Sequence, residues 1–262
     1  MSPSRPAKPR PSAIVTGAGS GLGAAIARRL VAQGYHVVAV GRRPTPLADL
    51  QADLGVEFVT PRPLDATDTA SLTALVNEVA AQFGPLHVVV NNAGIAQQVA
   101  IADTSPEIFA ETIAVNLAAP AAVIAAAWPH FMAQEAGCII NVSSLAQFDP
   151  FPGFFAYAAS KAGLHLLTVV AHNEGAASGI RAFTIAPGVI DTDLHRRLMP
   201  EGVPPEMRHS PEQVALVVGE CVAGEHDAYR GSTLAVVADG VAPFVREWIA
   251  AHPAGGIEVI QR

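Results

Sequence analysis

The sequence contains few cysteines and few charged residues for a chain of 262 residues. Only Cys138 and Cys221 are present, and one possible pair is not the disulfide framework of a small secreted protein. Charged residues make up 15% of the chain, and the formal net charge is −7. This balance does not favour the phosphate backbone of nucleic acids. The scarcity of cysteine predicts a cytoplasmic protein, in a reducing compartment. The negative net charge predicts that the protein has no nucleic-acid partner.

Long apolar segments are also missing. The first twelve residues carry four prolines and three basic residues with no apolar region behind them, so a signal peptide is not predicted. The most apolar run, residues 113–128, is shorter than the roughly 20 residues that cross a membrane, and Asn116 and Pro120 interrupt it. Residues 1–12 are predicted to be a flexible basic Pro-rich tail, and no membrane partner is expected.

The chain does contain a regular alternation of short β-branched runs with longer helical stretches. Such apolar runs are typical of strands buried on both faces of a parallel sheet. The predicted strands are residues 13–16, 36–40, 57–60, 86–90, 138–142, 181–185 and 233–237. Predicted helices include residues 21–34, 69–83 and 157–177, and two more start at Ser105-Pro106-Glu107 and Ser210-Pro211-Glu212, each a serine N-cap before proline and an acid.

This alternation predicts an α/β fold with one Rossmann-type catalytic domain over residues 13–262. Its core would be a single doubly wound parallel β-sheet of about seven strands with helices on both faces. Right-handed crossovers place the C-terminal ends of the strands on one edge of the sheet, where ligands bind in such folds.

A glycine-rich loop follows the first predicted strand, where residues 16–23 read TGAGSGLG. Glycines let the backbone turn sharply and approach a pyrophosphate closely, and the following helix offers unpaired N–H groups. A plain turn is the alternative for an isolated glycine cluster, but the position between a strand and a helix favours dinucleotide binding. The spacing TGxxxGxG differs from the GxGxxG of many dehydrogenases.

Tyr157 and Lys161 lie four residues apart in a predicted helix, so they share one face. The spacing alone does not decide between a solvent-exposed helix face and a pair that performs proton chemistry. A carbonyl that accepts hydride needs a proton, and a phenol has an ordinary pKa near 10. A nearby ammonium favours the phenolate and is expected to lower that pKa.

The glycine loop, the NNAG motif at residues 91–94 and the Tyr157/Lys161 pair together resemble the short-chain dehydrogenase/reductase family. The resemblance runs from about Ala13 to Gly240 and implies a catalytic set. Tyr157 would be the general acid/base, and Lys161 would tune it and bind the nicotinamide ribose. Ser144, thirteen residues before the tyrosine, would donate a hydrogen bond to the substrate oxygen, with Ser143 as a supporting neighbour. The backbone of Asn116 would hold a water that links the lysine to solvent.

The same resemblance implies a groove for a nicotinamide cofactor. Asp65 would contact the adenine, residues 92–94 would pack along the adenosine ribose, and residues 187–192 would meet the carboxamide. The candidate cofactor-binding residues are Gly17, Ser20, Gly21, Leu22, Gly23, Arg42, Arg43, Asp65, Asn92, Ala93, Gly94, Tyr157, Lys161, Pro187, Gly188, Ile190 and Thr192. No metal is expected.

The end of the second predicted strand bears on the choice of cofactor. Sites that prefer NAD usually hold an acid there, on the ribose 2′-hydroxyl. Here Gly41 takes that position, and Arg42 and Arg43 follow with guanidinium groups suited to a 2′-phosphate. Against NADP, Ser20 stands where many NADP-preferring relatives carry a basic residue, although its hydroxyl could still hydrogen-bond the phosphate. The missing acid and the two arginines outweigh this. NADP(H) is therefore the predicted cofactor, with NAD(H) possible.

These residues predict an NAD(P)(H)-dependent oxidoreductase that interconverts a small-molecule carbonyl compound and an alcohol. The alternatives are an NAD-dependent secondary alcohol or polyol dehydrogenase and a dinucleotide-binding regulator without turnover. Residues 189–210, rich in proline and apolar side chains, are predicted to form a mobile lid. Four phenylalanines between Ser144 and Tyr157 favour an apolar or aromatic ketone if two or more line the site. A homo-oligomer, tetramer or dimer, is expected by resemblance.

Overall fold

The computed structural model describes residues 10–251 and 256–262. The strands are β1 (Ser12–Thr16), β2 (His36–Gly41), β3 (Val59–Pro63), β4 (Leu86–Asn91), β5 (Gly137–Val142), β6 (Ile180–Pro187), β7 (Val189–Ile190), β8 (Arg208–His209), β9 (Thr233–Val237) and β10 (Ile257–Gln261). The helices are α1 (Gly21–Ala32), α2 (Pro44–Leu54), α3 (Thr69–Gln82), α4 (Pro106–Ile113), α5 (Ala119–Gln134), α6 (Phe155–Gly175), α7 (Asp193–Leu198), α8 (Pro211–Ala223) and α9 (Ala242–Ala251).

Eight of the strands form one parallel sheet in the order β3-β2-β1-β4-β5-β6-β9-β10. The chain reverses its direction of progress across the sheet between β1 and β4. That switch point opens a crevice beyond the C-terminal strand ends, which is where doubly wound sheets bind ligands. The predicted Rossmann-like α/β fold is confirmed.

Helices cover both faces of the sheet. One face packs against α1, α2 and α8 through a core that includes Leu30, Leu50 and Val218. The other face packs against α3, α5 and α6 through side chains such as Val79 and Phe131. The residues of the six inner strands are nearly all buried, which explains their continuous apolar runs, whereas the edge strands β3 and β10 are mostly half-buried.

The prediction of about seven strands was one short. β10 adds an eighth strand beside β9, after α9, in a part of the chain with no recognised motif. The C-terminal Arg262 fixes this strand because its guanidinium forms an ion pair with Glu220 of α8 at 2.6 Å. The predicted strand over 57–60 also lies two residues too early, since β3 runs through Pro61 to Pro63. Prolines are tolerated there because β3 is an edge strand.

Both predicted serine caps are confirmed. The Ser105 hydroxyl accepts a hydrogen bond from Ile108 N, and the Ser210 hydroxyl accepts one from Gln213 N in a capping box. The predicted tail is only partly described: residues 1–9 lie outside the described residues, and Ser12 already belongs to β1.

Asn116 and Pro120, which interrupt the apolar run in the sequence, do not break the helix. Residues Pro106–Gln134 form one run of 29 residues, in which a π-helical turn at Ala114–Ala118 joins α4 to α5. This run is long and apolar enough to cross a membrane by length and composition. Helices in the core of soluble proteins pass the same test, and 39% of the apolar window is buried against the rest of the chain.

Candidate active site

A cleft of about 920 Å³ opens at the C-terminal strand ends, over the switch point between β1 and β4. It brings together every candidate site residue named from the sequence except Asn116. The residues of that set that line the cleft are Gly17, Ser20, Gly21, Leu22, Gly23, Arg42, Arg43, Asp65, Asn92, Ala93, Gly94, Ser144, Tyr157, Lys161, Pro187, Gly188, Ile190 and Thr192.

The glycine loop has the close packing that its spacing predicts. Gly17 adopts a positive φ of 68°, and a Cβ on it would lie 2.8 Å from Asn92 Nδ2. A Cβ on Gly23 would lie 2.1 Å from the carbonyl oxygen of Gly17. Ser20 caps α1 in an extended conformation and makes no side-chain capping bond. The first N–H groups of α1 therefore stand at the cleft wall with the positive end of the helix dipole, which fits a pyrophosphate.

Thr16, which was recognised only as part of the loop motif, joins the loop to the NNAG segment. Its hydroxyl accepts hydrogen bonds from Asn92 N at 3.0 Å and Ala93 N at 3.1 Å. The Asn92 side chain returns a bond to the Thr16 carbonyl oxygen at 2.9 Å. These bonds hold the C-terminal ends of β1 and β4 side by side. The glycine loop and the NNAG segment therefore lie on the same wall of the cleft.

Ser144 stands at the exit of β5 and reaches the Tyr157 hydroxyl. Its Oγ accepts a hydrogen bond from Ala146 N at 3.2 Å, which starts a short 3₁₀ turn, and it is hydrogen-bonded to Tyr157. Ser143 points the other way and donates to the carbonyl oxygen of Lys161 at 3.1 Å. Both serines line the cleft, but the Ser143 hydroxyl is bonded to the backbone of α6, whereas Ser144 lies beside Tyr157.

Tyr157 lies in the first turn of α6, and Lys161 follows one turn later. The Lys161 Nζ is 5.7 Å from the centroid of the Tyr157 ring and donates to the carbonyl oxygen of Val142 at 2.8 Å. Lys161 is 4% exposed, so burial lowers its pKa to about 8. Gly94 leaves space beside this ammonium, because a Cβ there would come within 3.5 Å of Nζ. The residues therefore fit a ribose hydroxyl next to the lysine.

The electrostatics of Tyr157 differ from the expectation. Burial raises the pKa of the phenol above its ordinary value, and the hydrogen bond with Ser144 only partly offsets this. The lysine was expected to lower that pKa, but in this structure the cost of desolvating a phenolate is the larger effect. The phenol therefore keeps its proton at neutral pH in the cleft as it stands.

Asn116 lies behind the cleft wall, fully buried in the π-helical turn. Its side-chain oxygen accepts from Ile95 N at 2.8 Å, and its amide donates to Ile95 O at 2.9 Å and Ser160 Oγ at 3.0 Å. Ser160 in turn donates to the Tyr157 carbonyl oxygen at 2.6 Å. The side chain therefore positions α6 and the NNAG segment, and the predicted backbone role stays a prediction. Single π-helical turns of this kind are frequent at functional sites.

A buried polar ladder that the sequence did not reveal anchors α6 to the sheet. Asn91 of β4 donates to Asn141 of β5 at 2.8 Å, and Asn141 donates to Thr168 of α6 at 2.9 Å. Thr184 of β6 donates to the same Thr168 hydroxyl at 2.7 Å. Burying polar groups is costly unless they are hydrogen-bonded. These bonds therefore fix the position of α6 relative to the sheet, and with it the position of Tyr157.

The two arginines after β2 stand at one end of the cleft, and both are exposed. The Arg43 guanidinium donates to Ser20 Oγ at 3.4 Å, beside the glycine loop. Asp65 accepts from Thr67 N and its hydroxyl at 2.9 and 2.8 Å, and these bonds, with a smaller effect of the Arg42 charge, lower the pKa of Asp65. Arg42 and Arg43 thus line this end of the cleft beside the glycine loop and Asp65.

The other end of the cleft is formed by the segment after β6. Thr192 caps α7, and its hydroxyl accepts from His195 N at 3.4 Å. β7 pairs with β8, and this pairing joins the two ends of the predicted lid. Arg196 forms ion pairs with Asp191 and Asp193 inside the lid.

The cleft also has an apolar half that the sequence identified only in part. Three of the four phenylalanines line it, Phe148, Phe151 and Phe154, whereas Phe155 lies outside and contacts Phe109. Sequence reasoning missed the opposite wall from the C-terminal region. That wall includes Val241, Phe244 and Val245, beside Met207 from the end of the predicted lid. Its only signal was the amphipathic pattern after Gly240.

No group of three or more His, Cys, Asp or Glu side chains within residues 10–251 and 256–262 is arranged to hold a metal ion. Both cysteines are buried and unpaired as disulfides, and burial raises the pKa of the Cys138 thiol to about 12.

Comparisons with known proteins agree with this geometry. The sequence profile described as short chain dehydrogenase matches residues 11–201. The chain is 36% identical over 185 residues to an uncharacterized oxidoreductase of Staphylococcus saprophyticus, covering 70% of this chain and 79% of that protein. A metagenomic short-chain oxidoreductase solved with NADP is 31% identical, with a TM-score of 0.70 over 81% of this chain and 90% of that one. The 3-ketoacyl-(acyl-carrier-protein) reductase of Brucella melitensis, solved with NADH, is 25% identical, with a TM-score of 0.80 over 87% and 96%.

Proposed function

The chain belongs to the short chain dehydrogenase family, and on that premise we propose that it reduces a ketone or aldehyde to an alcohol with NADP(H). The observation that carries this proposal is the meeting of Ser144, Tyr157 and Lys161 in a single cleft with the glycine loop. A test is the decrease of reduced-nicotinamide absorbance with a panel of ketones, compared between the native protein and Tyr157→Phe. A dinucleotide-binding regulator would bind the cofactor without consuming it.

A nicotinamide dinucleotide in this cleft would supply hydride to a carbonyl carbon or accept it from an alcohol. Ser144 then donates a hydrogen bond to the carbonyl oxygen and holds it at the tyrosine. Tyr157 transfers its phenolic proton to that oxygen as negative charge develops there. Lys161 stabilises the phenolate that remains, because its ammonium lies one helical turn away.

The direction of the reaction is proposed to be reduction at neutral pH. Burial raises the pKa of Tyr157, so the phenol is present in the protonated form that reduction consumes. Oxidation of an alcohol needs the phenolate, which this environment disfavours until the pH rises.

NADPH is proposed as the preferred cofactor because Arg42 and Arg43 flank one cleft end with no acid at Gly41. Arg42→Ala should weaken NADPH binding about tenfold, since it removes a charge-assisted hydrogen bond from an exposed and partly screened site. NADH binding should change little. Fluorescence titration of the reduced cofactors measures both affinities.

The control for this variant is Arg28→Ala, which removes an exposed arginine on α1 that pairs with Asp53 outside the cleft. That variant should leave both affinities unchanged. A native protein with equal affinity for NADH and NADPH, or an Arg42→Ala variant that loses both alike, would refute the preference.

The segment between β7 and β8 is proposed to close over bound ligands. Leu194, Leu198 and Met199 face the cleft from this lid, and closure would exclude water from them and from the reacting groups. Trypsin cleavage after Arg197, an exposed lid residue, should therefore slow when NADPH and the alcohol product are bound. Mass spectrometry of timed digests gives the rate.

Cleavage after Arg230, an exposed arginine outside the cleft, is the internal control. Equal slowing at Arg197 and Arg230 would indicate general stabilisation by ligand and not closure of the lid. Equal rates at Arg197 with and without ligand would count against the lid as well.

A further inference from the structure

The apolar half of the cleft points to a specific class of substrate. We propose, on the basis of the proposed carbonyl reduction, that the substrate is a free ketone with a bulky aryl substituent, held between an aromatic shelf and the wall opposite. The shelf is Phe148, Phe151 and Phe154. The opposite wall comes from the lid and from α9.

The shelf begins at the reactive phenol. The Phe154 ring lies with its centroid 5.4 Å from that of Tyr157, and the Phe151 ring lies 6.1 Å beyond at an interplanar angle of 65°. These distances are typical of favourable aromatic contacts. A carbonyl oxygen at Tyr157 therefore has its substituent over a row of ring faces and edges, which an aryl group extends.

The opposite wall is fixed to the same site by the backbone. Gly240 N donates to the Glu206 carbonyl oxygen at 3.2 Å, so the 3₁₀ turn that carries Met207 is held against the start of α9. Phe244 of α9 lines the same cleft as the shelf. The lid and α9 thus form one apolar wall.

Three large apolar side chains at the mouth are exposed to solvent, and they come from both walls. Phe151 is 55% exposed, Phe244 is 58% exposed and Met207 is 40% exposed. Exposed apolar groups concentrated around a cleft mark a ligand surface more than a packing surface. An aryl group between the walls removes all three from water.

The charged side chains that line this half, Asp149, Asp193 and Arg197, are exposed to solvent, and the polar groups deeper in it are few for a sugar or polyol. Beyond Ser144 and Tyr157, the imidazole of His195 lies on this side, and both its ring nitrogens are buried without a hydrogen-bond partner among the described residues. Burial lowers the pKa of His195, so it is neutral. A substrate with several hydroxyls would leave most of them unpaired against apolar side chains, which is costly.

The lid surface is also unsuited to an acidic carrier protein. Arg196 is paired with Asp191 and Asp193, and Arg208 is paired with Asp191. These acids neutralise two of the three arginines of the segment and leave Arg197, which lines the cleft, as the remaining basic group that could attract an anionic carrier, and this favours a free ketone over a carrier-bound thioester.

The test uses steady-state reduction of acetone, 2-acetylnaphthalene and fructose, and calorimetric titration of 2-acetylnaphthalene into the protein saturated with NADP⁺. The naphthyl ketone should exceed acetone in kcat/KM by about a hundredfold, because the aryl group is buried between the two walls. Phe151→Ala should reduce that ratio, and the affinity for 2-acetylnaphthalene, by about tenfold.

Phe155→Ala is the matched control, since Phe155 is 48% exposed, close in sequence and outside the cleft. It should leave the ratio and the affinity unchanged. A preference for fructose, equal effects of the two variants, or no binding of 2-acetylnaphthalene would overturn the inference. Tyr157-dependent reduction of acetone and fructose without a naphthyl preference would overturn it while leaving the proposed function intact. Binding that depends on Phe151 without turnover of any ketone would support the shelf and refute the proposed function.

Discussion

Tyr157→Phe should lower the kcat for ketone reduction by about 10²–10⁴-fold, because it removes the group that donates the proton to the carbonyl oxygen. The aromatic ring stays, so its packing against Phe154 is retained. Among the residues that the structure describes, the hydroxyl has its hydrogen bond with Ser144, which faces the cleft and can turn to water. The fold and the affinity for NADPH should therefore change little. Stopped-flow or steady-state absorbance of NADPH measures the kcat, and fluorescence titration measures the affinity for NADPH.

Tyr229→Phe is the control for the loss of one phenolic hydroxyl. Tyr229 lies in the 3₁₀ turn Asp227–Tyr229, outside the cleft, and its ring contacts only His226 among the aromatic contacts of the described residues. This variant should keep native turnover. Retention of most activity by Tyr157→Phe would show that another group donates the proton. Loss of NADPH binding in that variant would show that the hydroxyl has a structural role.

The features of the site that the sequence predicted are those encoded over a short span. The spacing of Tyr157 and Lys161 needs only a helix to place both on one face, and the glycine loop needs only a strand and a helix around it. The exits of β4 and β5 follow from apolar runs that end in polar residues. Each of these signals is local, and the parallel sheet then brings them to one edge.

The features that were missed depend on contacts between distant parts of the chain. β10 pairs with the outer edge of β9, and Arg262 beside it forms an ion pair with Glu220, and neither contact is visible in the short run of residues 257–261. The pKa of Tyr157 rises because the packed cleft removes water from the phenol, an effect that the spacing to Lys161 does not report. β3 was placed too early because its prolines argue against a strand unless the strand is known to be at an edge.

Lys161→Met should damage turnover and cofactor binding together, because Lys161 is proposed to have two roles. The variant removes the positive charge that stabilises the phenolate, and it removes the donors proposed for the ribose hydroxyls. We expect kcat to fall by at least about a hundredfold and NADPH affinity to fall by about tenfold. Methionine has a similar length, and it leaves only the Val142 carbonyl oxygen without its bond, so the fold should persist.

The native protein should also show the ionisation of this lysine in its pH profile. Burial lowers the pKa of Lys161 to about 8, so the ammonium is present below that pH and is lost as the pH rises through it. The kcat for reduction should decline above about pH 8, and the residual activity of Lys161→Met should lack that decline. Lys8→Met, the same change at the other lysine of the chain, should keep the native profile.

An unchanged NADPH affinity in Lys161→Met would argue against the ribose contact. If the native pH profile shows no decline above pH 8, proton transfer at Tyr157 does not depend on the charge of Lys161.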